Sequence, residues 1–134
     1  MGAGITLTPV SGVFDLGALK SFIFSIRGAT PLKDKPHWFL LSEMDNLPIQ
    51  EIKPEIHEKD LQNERHFAFR LPVVQIRSQT QFSAWIDWTD TREHGVKKIL
   101  TWMLSKYECS GEDHDGYKYE NSERCKEWMK NWLP

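Results

Sequence analysis

Apolar residues along this chain switch between a period of two and a period near 3.6, and the switches mark out the elements. Ile5 and Leu7 alternate with Thr6 and Thr8, which predicts a first strand over residues 5–10. Leu16, Leu19, Phe22, Ile23 and Ile26 then fall near helical spacing, with Asp15 placed to cap that helix and Gly28 to stop it. A strand over residues 22–26 is the alternative, because Gly17, Phe22 and Phe24 are weak helix formers. Pro31 and Pro36 punctuate a predicted loop over residues 29–36. Trp38, Phe39, Leu40 and Leu41 form an unbroken apolar run in a strand over residues 37–44, which implies burial on both faces and a central place in a sheet.

Residues 45–48 read as a turn, and residues 49–64, interrupted by Pro54, as a short edge strand followed by a polar connection. Phe67, Phe69 and Leu71 alternate with His66, Ala68 and Arg70 in a strand over residues 65–77. Pro72 breaks that ladder, and Val74 and Ile76 resume in a shifted register, so a bulge is expected at Pro72 and Val73. Over residues 81–89 the alternation is strict: Phe82, Ala84, Ile86 and Trp88 share one face, Ser83, Trp85, Asp87 and Thr89 the other.

The last third is helical. Asp90 and Glu93 resemble a capping box, and Val96, Ile99, Leu100, Met103 and Tyr107 mark an apolar stripe. Asn121 or Ser122 can cap a final helix whose stripe is Cys125, Trp128, Met129, Trp132 and Leu133. Residues 110–120, with no aliphatic side chain, read as an acidic loop between the two helices. The predicted order is β-α-β-(β)-β-β-α-α. It implies one α+β domain over residues 1–134, with an antiparallel sheet of about four to five strands. An N-terminal helix and two C-terminal helices pack mainly on one face of that sheet.

Composition narrows the function classes. A chain of 134 residues that is 40% hydrophobic and 27% charged belongs with globular domains, and no apolar run approaches a membrane span. A net charge of −2 disfavours nucleic acid as the partner. The N-terminus shows no secretory signal pattern, which predicts a cytoplasmic protein, or an exported one if Met1 replaces a cleaved signal.

Candidate chemistry is sparse. Cys109 and Cys125 are the only cysteines, and a disulfide between them and a pair of reduced thiols are both open. A zinc site from Cys109, His114 and Cys125 lacks a fourth ligand. Asp87, Asp90 and Glu93 at a strand-to-helix junction, or Glu51 and Lys53 in an E-x-K tripeptide, could serve a metal-dependent hydrolase or nuclease. Arg65, Arg70 and Arg77 with His66 and Trp85 could serve a single-stranded nucleic-acid binder.

The leading expectation is a non-catalytic protein-binding module of the inhibitor or immunity type, without a cofactor or resident metal. Its binding residues would be Trp85 and Asp87 on the outer sheet face, or Glu112, Asp113, Asp115, Tyr117 and Tyr119 in the acidic loop. Carboxylates interleaved with tyrosines suit a basic protein partner.

Overall fold

Alternating patterns become one antiparallel sheet, with the helical stripes laid on one side of it. A computed structural model describes residues 2–26, 29–32, 35–41, 73–87 and 94–133. The strands are β1 (Gly2–Pro9), β2 (Ala29–Leu32), β3 (Lys35–Leu41), β4 (Val73–Ser78), β5 (Gln81–Asp87), β6 (Cys109–Asp113) and β7 (Lys118–Tyr119). The helices are α1 (Leu16–Ser25), α2 (His94–Lys106) and α3 (Ser122–Trp132). Among the described residues the sheet has seven strands in the order β2-β3-β4-β5-β1-β6-β7, and every pairing is antiparallel.

Register puts the period-two residues where burial requires them. Ile5 lies opposite Ala84, Leu7 opposite Phe82, and Val74 opposite Ala84. These side chains face the helices and join Leu19, Ile23, Val96, Ile99, Leu100, Met103, Cys125 and Trp128 in a single core. The two expected caps at α1 and α3 are present. Asp15 Oδ1 accepts from Ala18 N at 3.1 Å and Asn121 Oδ1 from Arg124 N at 3.0 Å, each cap contributing about 1 kcal/mol. Aromatic contacts lock α1 to α2: Phe22 stacks on Trp102 at 4.7 Å, and Asp15 N donates to Tyr107 Oη at 3.0 Å.

Two parts of the expected layout are corrected. Residues 29–32, expected in a loop, form β2; among the described residues β2 is an edge strand, a position that tolerates Pro31. The acidic segment, expected to be a loop, is the β6–β7 hairpin, and Cys109 opens β6. The physical reason is that β6 needs no apolar alternation of its own. It pairs along β1 from Ile5–Asp113 to Pro9–Cys109, and its inward positions are filled from the neighbouring elements. At Gly111 an added Cβ would sit 3.0 Å from Cys125 Sγ and 3.1 Å from Ile5 Cδ1. With β2, β6 and β7 the sheet has seven strands among the described residues, against about four to five expected.

Other expectations keep their place. β3 is internal, with Phe39 buried toward the helices and Trp38 buried on the opposite face. The Phe82, Ala84 and Ile86 face of β5 is fully buried. The turn at residues 45–48, the connection over 49–64, the bulge at Pro72, Trp88, and the Asp90 and Glu93 cap lie outside the described residues.

Candidate functional site

The β6–β7 hairpin is built around one carboxylate. Asp113 Oδ1 accepts from Asp115 N at 2.9 Å and from Tyr117 N at 3.0 Å, while Oδ2 accepts from Tyr119 Oη at 2.8 Å. Gly116 completes the turn at φ 80°, a left-handed conformation that disfavours side chains with a Cβ. Burial and the Asp113 carboxylate together push the Tyr119 hydroxyl above its usual range. Asp113 and Tyr119 are therefore engaged within the hairpin, and the contact surface expected of them narrows to their neighbours.

Tyr117 is 65% exposed at the tip and meets Tyr119 edge-on at 4.9 Å. Glu112, Asp115 and Glu120 are exposed around it. Residues 108–120 are acidic overall: Glu108, Glu112, Asp113, Asp115 and Glu120 stand against Lys118.

His114 clasps the hairpin to the sheet and to α3. Its Nδ1 accepts from Gly4 N at 3.2 Å, its backbone N donates to Gly4 O at 3.0 Å, and its ring meets Trp132 edge-on at 5.0 Å. Its Nε2 lies 3.4 Å from Asp115 Oδ2. The ring is thus directed to β1 and α3, and among the described residues no three His, Cys, Asp or Glu side chains gather as a metal site.

Both cysteines are buried free thiols. They lie on opposite sides of the β6–α3 contact, with Cys125 Sγ 3.9 Å from Cys109 O. The buried Ser122 joins the same region: its Oγ accepts from Cys109 N at 2.9 Å and donates to Tyr107 O at 3.0 Å. Burial, then the neighbouring Cys125 and Glu108, push the Cys109 thiol up from about 9 to about 12. Burial and then Glu108 push Cys125 up to about 11.

A raised thiol pKa means that folding favours the neutral form. That stabilisation is complete below about pH 9 and is lost as pH rises through 11 to 12. The native protein is expected to react negligibly with an aromatic disulfide reagent at about pH 8, and to release two thiol equivalents once unfolded in guanidinium. A zero reading after unfolding would mean that the pair is oxidised. The Cys125→Ala variant should show a shallower alkaline loss of stability than the parent.

On the outer sheet face, Trp85 is half-buried rather than free. It pairs with Gly4 and Val73, and an added Gly4 Cβ would lie 2.7 Å from Trp85 Cδ2. The indole therefore rests on the bare backbone of β1. Beside it, Ser83 Oγ is shared by Thr6 Oγ1 at 2.8 Å and Arg77 Nε at 2.9 Å. Arg77 is thus tied to the sheet surface. Asp87 ends β5 opposite Gly2. Asp90, Glu93, Glu51, Lys53, Arg65, His66 and Arg70 lie outside the described residues.

One surface escaped the sequence reading: a groove between α2 and α3, lined by Lys97, Thr101, Lys126, Met129, Lys130 and Leu133. Its signal was present, since Lys126 and Lys130 flank the Met129 stripe at helical spacing. Among the described residues no helix is long and apolar enough to cross a membrane. Comparison of the chain with protein-family models, with curated proteins and with solved structures finds no match.

Proposed function

We propose that this domain is a non-catalytic protein-binding module of the inhibitor or immunity type, and that it presents the β6–β7 hairpin to a basic surface of a protein partner. One observation carries the reading: Tyr117 stands exposed among carboxylates at the tip of a turn already held by the hydrogen bonds of Asp113. A turn ordered before binding loses little conformational entropy on contact. Tyrosine contributes apolar area and a hydroxyl together, and the surrounding carboxylates steer a cationic partner. The neutral, buried thiols weigh against nucleophilic catalysis by cysteine. Their free state suits a reducing compartment such as the cytoplasm.

The test is affinity capture from the native host, with the intact chain and three variants as bait. Tyr117→Ala combined with Asp115→Lys is expected to weaken capture of the specific partner by about 30-fold or more, the scale of a lost hot spot. Binding by the parent chain should also fall as salt rises. A control reversal at Lys20, on α1, should leave capture intact. If the hairpin variant retains the partner and the Trp85→Ala variant loses it, the outer sheet face is the binding surface and the hairpin assignment fails.

A further inference from the structure

The groove between α2 and α3 combines two properties. Its floor is apolar: Met129 and Leu133 are only 8% and 4% exposed, yet both line a concavity of about 370 Å³. Its sides carry three lysines, Lys97 from α2 and Lys126 and Lys130 from α3, and among the described residues none that lines it is acidic. Lys126 is held by Glu123 at 3.1 Å across an exposed helical turn. Neither Lys97 nor Lys130 is ion-paired among the described residues. Uncompensated cations around a concave apolar floor concentrate positive potential locally, even in a chain of net charge −2.

We propose that this groove binds a small anionic amphiphile, one acidic head group on a short aliphatic tail. The volume lies near the lower end of the roughly 300–1,000 Å³ typical of small-molecule sites. Methionine supplies an adaptable floor for an alkyl chain, and the lysine stems extend the apolar lining while their ammonium groups stay in water. An uncharged lipid leaves the cations uncompensated, and a compact hydrophilic anion leaves the floor wet. The amphiphile satisfies both. The site is separate from the hairpin and does not depend on the function proposed for it.

Titration of the intact chain with decyl phosphate and with decanoate, below micelle-forming concentrations, tests the proposal. Amide shifts in NMR spectra should be saturable with one-to-one stoichiometry and centred on α2 and α3. The Lys97→Glu, Lys130→Glu double variant should bind at least about tenfold more weakly with its circular dichroism unchanged. Thr101→Trp, which fills the groove without altering its charge, should weaken binding by a similar factor. Decanol binding as tightly as decyl phosphate would overturn the proposal, because no head group would then be recognised. Failure of both amphiphiles would overturn it too, whether or not a glutamate-rich peptide or vesicles of anionic lipid bind. Such binding would reassign the groove to a protein partner or to a membrane surface.

Discussion

Truncation of Trp128 to alanine is expected to lower the free energy of unfolding by about 3–5 kcal/mol. Trp128 is fully buried and heads the large core side chains. It lies on the same stripe of α3 as Cys125 and Met129, so its loss opens a cavity beneath the helix that also supports β6. Domains of this size are stabilised by only about 5–15 kcal/mol, and a loss on this scale should move the urea midpoint sharply at unchanged slope. Trp128→Phe is the informative companion. The indole N–H has no hydrogen-bond partner among the described residues, so phenylalanine forfeits packing volume and no bond. Its loss should be well under half that of the alanine variant. Equal losses in the two variants would show that ring packing is not the source of the stabilisation.

Gly111→Val is the second large expectation, a loss of about 2–3 kcal/mol from overpacking. The added Cβ alone meets Cys125 Sγ at 3.0 Å and Ile5 Cδ1 at 3.1 Å, and valine carries two methyl groups beyond it. The strand cannot simply retreat, because Gly111 is paired to Leu7 on one side and Tyr119 on the other. Cys125→Ala removes one of the opposing atoms. In the double variant the two effects should couple favourably by about 1 kcal/mol or more. Strict additivity of the two losses would remove the packing account of Gly111. The same measurement bears on the hairpin, since a strained β6 carries Asp113 and with it the turn that holds Tyr117.

The elements differ in how far local pattern reveals them. The stripes of α2 and α3 and the alternation of β5 are legible because each element buries one face and exposes the other, which writes its period into the chain. The caps at Asp15 and Asn121 are legible because the side chain bonds a backbone N–H only three residues on. β6 is illegible for the converse reason. Its inward residues are Cys109, Gly111 and Asp113, and the volume at its centre is supplied by Cys125 and Ile5 from other elements. β2 is masked by Pro31, which reads as a loop until its edge position is known.

The site divides the same way. Composition alone points to Glu112, Asp115 and Tyr117 as an acidic, aromatic surface. That Asp113 and Tyr119 are bound to one another at 2.8 Å, and so belong to the scaffold, depends on the turn that brings them together. The period of β5 places Trp85 on the outer face. Its half-burial follows from Gly4, which lies opposite it across the β1–β5 ladder although 81 residues away in the chain.

By itself, then, the sequence determined the α+β class, the three helices with their buried stripes, and the facing of β5, all properties of contiguous residues with one apolar side. Tertiary structure decided the rest: seven strands among the described residues rather than about four to five, β1 inserted between β5 and β6, two neutral thiols beneath α3, and a lysine-lined groove where two helices meet. Each of these depends on residues far apart in the chain filling one space or satisfying one another's hydrogen bonds, and no local period encodes such a meeting.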